Sequence, residues 1–92
     1  MNDLTYVTLQ ITHNKGIHAR PSAQFVKTAS KYQSDVFVQK DNIKVSGKSI
    51  MGLITMGITC GKKITISAEG IDAEQALDDL QNLINSKFGF DE

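Results

Sequence analysis

Hydrophobic residues alternate with polar ones in the first strand-like segment of the chain. Val7, Leu9 and Ile11 alternate with threonine and glutamine, the period of two that is typical of a half-buried strand. The Asp41-Asn42 pair predicts a tight turn, and therefore an antiparallel hairpin between the strand before it and the strand after it. The two strands of this hairpin are predicted at 35–40 and 43–46, and one further strand is predicted at 62–69.

Two helices are predicted before the last strand, and hydrophobic residues recur at helical spacing in the first of them. The first helix is predicted from Ala19 to Lys31, and Pro21 suits its first turn, where a backbone N–H would have no partner inside the helix. The second helix is predicted from Ile50 to Thr55. It is short, and it follows Ser49, which stands where an N-cap residue would.

The third helix has the most regular pattern. Its apolar residues recur at i, i+3, i+4 and i+7 between Ala73 and Phe88, Asp72 is placed to cap its start, and Gly89 follows its end. The element order is then β-α-β-β-α-β-α. This order predicts an α+β domain in which three helices cover one face of a four-stranded antiparallel sheet. No linker or internal repeat divides the chain, so residues 1–92 are expected to form one domain.

Composition excludes several classes of function. The chain has 10 lysine and arginine residues and 10 aspartate and glutamate residues, for a formal net charge of zero. This balance lacks the electrostatic signature of a protein that binds nucleic acid or an anionic membrane surface. Cys60 is alone, which excludes an internal disulfide and a cysteine-based zinc site.

No segment predicts export or membrane insertion. The first ten residues lack the basic and apolar regions of a signal peptide. The longest apolar stretch, at 50–58, is interrupted by two glycines and is far shorter than the roughly 20 residues that span a bilayer. The cytoplasm is therefore the expected location, and neither a metal nor an organic cofactor is expected.

The first candidate site is the segment GIHARPSA, residues 16–23. It places His18 directly before the first helix and Arg20 two residues later. The opening N–H groups of a helix lack partners inside the helix, and the aligned peptide dipoles make that end positive. The start of a helix therefore attracts anions. A guanidinium beside it adds a group that can bind two phosphate oxygens. His18 can therefore attack a phosphoryl group whose charge the backbone of Ala19 and Arg20 would stabilise. The alternative is that His18 is a capping or surface residue, and His13 is interpreted as an ordinary loop residue.

The second candidate site is the segment SGKSIMGL, residues 46–53. Its GKS resembles the end of a P-loop, but that motif requires glycine five residues before Gly47, where this chain has Asn42, so nucleotide binding is rejected. What remains is Ser49 at an N-cap, followed by more hydrophobic residues than a helix of about two turns can bury. They are either core residues with incidental exposure or a docking patch for another protein, and spacing alone does not separate the two.

The two sites together resemble the HPr family of the bacterial phosphotransferase system. GIHARPS is similar to that family's active-site signature, and VSGKSIMGL is similar to its second signature. The resemblance extends over nearly the whole chain and implies an open-faced β-sandwich. Two positions differ: Ser46 stands where asparagine is common, and Ser22 replaces the commoner alanine, where its hydroxyl can add a donor near the phosphate.

The resemblance implies a role for individual residues. His18 matches the histidine that accepts a phosphoryl group from phospho-Enzyme I and passes it to an EIIA-type domain, and Arg20 matches the arginine that interacts with the phosphate. Ser49 matches the serine that an ATP-dependent HPr kinase/phosphorylase modifies in many bacteria. Positions on the family's docking surface for partners are matched here by Ala19, Ala23, Lys27, Ile50, Met51 and Ile54.

A phosphocarrier, not an enzyme, is the function that this resemblance implies, in the sugar-uptake or the nitrogen-related branch. The chain is expected to act as a monomer, with no nucleic-acid partner. The runner-up is a regulatory adaptor that binds a transcriptional regulator through phosphorylated Ser49 and makes no use of His18. The family's regulatory branch lacks the active-site histidine, so His18 argues against that alternative. An enzyme with His18 as general base has little support because no partner nucleophile or deep pocket is evident.

Overall fold

The computed structural model describes residues 4–12 and 19–86 of the chain. Within them the secondary structure follows the predicted order, β-α-β-β-α-β-α. The elements are β1 (Leu4–Gln10), α1 (Ala19–Ala29), β2 (Asp35–Lys40), β3 (Ile43–Ser46), α2 (Ile50–Thr55), β4 (Lys63–Glu69) and α3 (Ala73–Asn85).

The four strands form one antiparallel sheet in the order β1-β4-β2-β3. Strand β4 lies in the middle: its Ile66 is opposite Val7 of β1 on one side and opposite Val38 of β2 on the other. Strands β2 and β3 form the predicted hairpin, in which Lys40 is opposite Ile43 and Asp41 adopts a positive φ of 55° in the turn. The fold class predicted from the sequence is confirmed.

The hydrophobic core lies between one face of this sheet and the helices. Alternate residues of β2 and β4 point into it, and α3 adds the predicted stripe as far as Ile84. Helix α3 ends at Asn85, and Phe88 and Gly89 of the predicted helix end lie outside the described residues. Phe25 and Ala29 of α1 and Leu53 of α2 are also fully buried there. The core residues are Ile11, Phe25, Ala29, Val36, Val38, Leu53, Met56, Ile58, Ile64, Ile66, Ala68, Ala73, Ala76, Leu77, Leu80 and Ile84.

Helix α1 ends at Ala29, two residues before the predicted end at Lys31. The N–H of Lys31 donates to the carbonyl of Thr28 at 3.2 Å, and the N–H of Tyr32 donates to the carbonyl of Ala29 at 3.2 Å. These bonds span three residues, so the chain tightens out of the α-helical pattern after Ala29. Tyr32 is then held by its hydroxyl, which donates to a carboxylate oxygen of Asp79 in α3 at 2.7 Å.

Asp72 stands at the start of α3, but the prediction that its side chain caps the helix is wrong. One carboxylate oxygen accepts from the backbone N–H of Gln33 at 2.9 Å, and the other accepts from the N–H and the hydroxyl of buried Ser34. These bonds lower the pKa of Asp72, the hydroxyl of Ser34 being the largest cause. Gly70 lets the two segments meet, because a Cβ there would lie 2.8 Å from the Cα of Ser34. The carboxylate thus joins the start of α3 to the loop before β2.

Candidate functional site

Helix α1 begins at Ala19, immediately after the candidate phosphoryl acceptor. His18 itself lies outside the described residues, as do His13 and Gly16. The N–H groups at the start of a helix have no acceptor inside it, and Pro21, as the third residue of α1, contributes none. Ala19 and Arg20 form the start of α1, the end of a helix that attracts anions, and their predicted role in stabilising a phosphate stays a prediction.

Pro21 and Ser22 attach the first turn of α1 to the body of the protein, and both are buried. The expectation that the Ser22 hydroxyl lies near the phosphate needs correction on this point, because the residue is 0% exposed and faces inward. Its Oγ is buried without a hydrogen-bond partner among the described residues. The sequence did not indicate this, because serine at the start of a helix is ordinarily exposed or capping.

The outer side of α1 carries a shallow groove of about 270 Å³ lined by Arg20, Ala23, Gln24 and Lys27. All four side chains are exposed, and Ala19 is exposed next to them. Two of the four are cationic, so the groove suits an anionic group or an acidic partner surface. Gln24 was not singled out from the sequence, although its position four residues after Arg20 places it on the same side of the helix.

Ser49 is the N-cap of α2, as predicted. Its hydroxyl oxygen accepts a hydrogen bond from the backbone N–H of Gly52 at 3.0 Å, and its backbone is extended, with φ −117° and ψ 109°. Gly52 leaves room for this bond, because a Cβ there would lie 3.1 Å from the Ser49 Oγ and 3.2 Å from the Cβ of Val45. The serine is half-buried, so the cap remains accessible from outside.

The hydrophobic residues of α2 divide between core and surface. Leu53 is 0% exposed and Met56, just after the helix, is buried as well. Ile50 is 41% exposed and Met51 is 66% exposed, whereas Ile54 is half-buried. Clustered exposure of large hydrophobic side chains beside a polar cap is typical of a protein-docking surface. Leu53 and Met56 are therefore core residues, and the docking role of Ile50, Met51 and Ile54 stays a prediction.

The two candidate sites belong to neighbouring helices, because α1 and α2 pack against each other. The predicted docking residues of α1, at positions 19, 23 and 27, are spaced four residues apart and therefore share its exposed side. Those of α2, at positions 50, 51 and 54, lie in the helix that Ser49 caps. One partner surface can thus contact both helices.

The remaining residues of the second segment have structural roles. Gly47 is buried so tightly that a Cβ there would lie 2.5 Å from Val36 Cγ1 and 3.0 Å from Phe25 Cε1. The Lys48 amine donates to the carbonyl of Tyr32 at 2.9 Å, just past the end of α1. The Ser46 hydroxyl accepts from the N–H of Lys48 at 3.1 Å. The Lys48 amine thus links the segment before α2 to the chain just past the end of α1.

Within residues 4–12 and 19–86, no cluster of three or more His, Cys, Asp or Glu side chains could hold a metal ion. No helix in the same part of the chain is long and apolar enough to cross a membrane.

Known proteins match both the sequence and the fold. Residues 6–86 match the family described as the PTS HPr component phosphorylation site. The HPr-like protein Crh of Bacillus subtilis is 42% identical over 72 residues, which cover 78% of this chain and 85% of Crh. The phosphocarrier protein HPr of Neisseria meningitidis serogroup A is 40% identical over 82 residues, which cover 89% of this chain and 92% of that protein.

A solved structure extends the match to nearly the whole chain. The crystal structure of HPr-C-His from Thermoanaerobacter tengcongensis superposes with a TM-score of 0.91 at 49% identity, and the superposition covers 96% of this chain and 99% of that one. Because the family match includes both candidate sites and the fold agrees throughout the described residues, the chain belongs to the HPr family of phosphocarrier proteins of the phosphotransferase system.

Proposed function

We propose that the chain accepts a phosphoryl group from phospho-Enzyme I on His18 and passes it to an EIIA-type domain. The observation that carries this proposal is the start of α1 at Ala19, directly after the histidine, within a chain of this family. In each transfer one nitrogen–phosphorus bond forms as another breaks, and the attacking nitrogen of His18 must be unprotonated.

The start of α1 supplies charge stabilisation to this reaction. A phosphoryl group on His18 is next to the positive end of the helix dipole and the backbone N–H of Ala19. Arg20, exposed in the same turn, adds a guanidinium that can hold two phosphoryl oxygens. Orientation and preorganised charge are the main contributions that a protein makes to phosphoryl transfer.

The exposed sides of α1 and α2 form the docking surface of this proposal. It comprises Ala19, Ala23, Lys27, Ile50, Met51 and Ile54. Cationic groups at Arg20 and Lys27 flank one part, and the exposed Ile50 and Met51 form the other. Enzyme I and an EIIA-type domain would use this surface in turn, with the chain acting as a cytoplasmic monomer.

Ser49 is the proposed regulatory site, phosphorylated by an HPr kinase/phosphorylase. Its phosphate would add about −1.5 to −2 charges at the start of α2, next to the exposed hydrophobic residues that partners contact. The same phosphoserine could be recognised by a transcriptional regulator.

A second candidate function is that of an adaptor which acts through phosphorylated Ser49 alone. It is favoured by the similarity to Crh, a relative that is named HPr-like. The presence of His18 favours the phosphocarrier.

A reconstituted relay tests the proposal. Labelled phosphoenolpyruvate, Enzyme I and an EIIA-type domain are mixed with and without this chain, and label on the EIIA-type domain is measured. We expect label to reach that domain only when the chain is present. Arg20→Ala should slow the relay about tenfold, the loss of one charge-assisted hydrogen bond, without stopping it. Gln24→Ala, a neutral change in the same groove, is the matched control. Absence of label on the EIIA-type domain, with Enzyme I active, would contradict the proposal and favour the adaptor.

A further inference from the structure

Strand β1 forms one edge of the sheet, and within residues 4–12 and 19–86 it pairs with β4 alone. The N–H of Ile11, just after β1, donates to the carbonyl of Lys62 at 2.8 Å. In an antiparallel pair, successive residues turn their backbone groups alternately toward and away from the partner strand. The backbone groups that point away from β4 therefore belong to Leu4, Tyr6, Thr8 and Gln10.

The two edges of the sheet differ in how they are protected against pairing with another chain. Proteins commonly protect an edge with a short strand or with a charged side chain, lysine above all. Strand β3, the opposite edge, has four residues and carries the exposed Lys44. Strand β1 has seven residues with no charge and no proline, and its Leu4 and Tyr6 are 65% and 70% exposed. Strand β1 has neither protection and can therefore accept an added strand.

A groove of about 370 Å³ lies between β1 and α3, on the side of the sheet that the helices cover. Its lining includes Thr5, Tyr6 and Val7 of β1 and Glu74, Leu77 and Asp78 of α3. The three residues of α3 are spaced three and four apart and so share one side of the helix. Leu77 is buried, whereas both acidic residues are exposed, and no basic residue of the described chain lines the groove. The groove thus offers an acidic helix surface beside an unpaired strand.

We propose that β1 and this groove bind an extended, basic segment of another protein by strand addition. The segment would exchange backbone hydrogen bonds with Tyr6 and Thr8, the mode in which a peptide extends an exposed sheet edge. Every second side chain of an added strand points to the helix-covered face, where lysine or arginine would meet Glu74 and Asp78. The aliphatic stems of these basic side chains would cover the exposed part of half-buried Val7.

The intervening side chains determine the rest of the preferred sequence. They would point to the outer face of the sheet, beside the exposed Leu4 and Tyr6. Apolar residues suit these neighbours. The binding sequence therefore alternates basic and apolar residues over about six positions, the ordinary length of a strand.

Charge distinguishes such a segment from a second copy of this chain. Two copies paired through β1 about a two-fold axis would place their α3 helices side by side, with Glu74 and Asp78 facing the same residues of the other copy. Like charges disfavour this pairing, and β1 brings no basic side chain to offset them. The groove also lies apart from the proposed docking surface, because α2 packs against α1 and against β3 at the opposite edge of the sheet. The inference therefore does not depend on the proposed function.

Fluorescence anisotropy with labelled hexapeptides tests the proposal. One peptide alternates lysine with valine, and its control alternates glutamate with valine. We expect the lysine peptide to bind the full chain at least about tenfold more tightly than the glutamate peptide, with an affinity that falls as salt is added. Asp78→Asn should weaken binding of the lysine peptide about threefold. Asp41→Asn, which removes the same charge in the turn between β2 and β3, should not weaken it.

Two substitutions of Thr8 test the backbone contact. Thr8→Pro removes an N–H that points away from β4, so β1 should keep its pairing with β4. Thr8→Val keeps this N–H and, like Thr8→Pro, loses the hydroxyl that bonds to the hydroxyl of Thr65. The lysine peptide should bind Thr8→Val as it binds the wild type, and it should bind Thr8→Pro at least about fivefold more weakly. If circular dichroism shows Thr8→Pro to be unfolded, hydrogen exchange in the wild type decides.

Amide hydrogen exchange of the wild-type protein locates the peptide without any substitution. With the lysine peptide at about ten times its Kd, the amides of Tyr6 and Thr8 should exchange about tenfold more slowly, whereas those of Val7 and Leu9, which face β4, should change little. Failure of the lysine peptide to bind, equal binding of both peptides, or unchanged exchange at Tyr6 and Thr8 would overturn the proposal. Sedimentation of the chain as a dimer that Thr8→Pro dissociates would also overturn it, because a second copy would then occupy the edge.

Discussion

Three substitutions at Ser49 separate its contribution to folding from its effect on partner docking. In the folded protein its hydroxyl accepts from the N–H of Gly52 at 3.0 Å and caps α2. Ser49→Ala removes this acceptor and adds no charge. Ser49→Asn keeps a side-chain acceptor without charge, and Ser49→Asp keeps an acceptor and adds a negative charge.

The magnitudes follow from the capping geometry. Replacing a serine N-cap by alanine costs about 1 kcal/mol, within a range of about 0.5–2 kcal/mol. For a domain of this size, about 1 kcal/mol corresponds to a fall in melting temperature of roughly 4–8 °C. Ser49→Asn and Ser49→Asp should therefore melt close to the wild type, and Ser49→Ala should melt several degrees lower.

The rate of phosphoryl transfer from Enzyme I, which depends on docking, should rank the same variants differently. Beside the exposed Ile50 and Met51, an added carboxylate has to be desolvated and meets any acidic group of the partner. A penalty of about 1 kcal/mol slows phosphoryl transfer from Enzyme I roughly fivefold. Only Ser49→Asp should show this loss.

Thermal unfolding followed by circular dichroism and single-turnover transfer from phospho-Enzyme I give the two rankings. The explanation fails if Ser49→Ala melts with the wild type, because the cap bond would then contribute nothing. It also fails if Ser49→Asp and Ser49→Asn accept phosphate at the same rate, because charge would then have no effect on docking.

Three further predictions follow from the packing and the hydrogen bonds. Met51→Ala should leave the melting temperature nearly unchanged but slow transfer from Enzyme I, whereas Leu53→Ala should cost about 2–5 kcal/mol of unfolding free energy in urea titrations. If the two variants changed stability and transfer rate equally, the division between surface and core would be refuted. Gly47→Ala should destabilise the fold by about 1–3 kcal/mol, because its Cβ would overlap Val36, and an unchanged urea midpoint would refute this. The pKa of Asp72 is lowered from 3.8, so the stability that its carboxylate contributes should be complete above that pH and lost as the pH falls further. The stability of Asp72→Asn should therefore depend less on acid pH than that of the wild type. An identical acid transition for the two proteins would contradict this prediction.

Elements with a strong local signal were predictable from the sequence. Both strands of the β2–β3 hairpin and helix α2 have the predicted bounds, because Asp41 and Ser49 mark a turn and a helix start with local chemistry. Family resemblance then supplied the roles of the histidine, the arginine and the serine. These roles stay predictions for all three residues, and His18 also lies outside the described residues.

Features that depend on the meeting of distant segments could not be predicted. Asp72 looked like a cap because the sequence shows only its neighbours, whereas its carboxylate binds a loop 38 residues earlier. The inward orientation of Ser22 depends on how α1 is rotated against the sheet. Likewise, the amine of Lys48 binds a carbonyl beyond the end of α1, which no local motif indicates. In each case contacts between distant segments determined where the side chain points and which group it binds, and the local sequence allowed more than one outcome.

The most direct test of the central claim is to map the phosphoryl group that phosphoenolpyruvate and Enzyme I place on this chain. The wild-type protein and His18→Ala are labelled in parallel, their folding is compared by circular dichroism, and the label is treated with acid and with base. The account predicts a label that is labile in acid and stable in base, as a phosphohistidine is, and that is absent from a folded His18→Ala protein. Equal labelling of the variant, or no label on folded wild-type protein beside an active Enzyme I control, would contradict it.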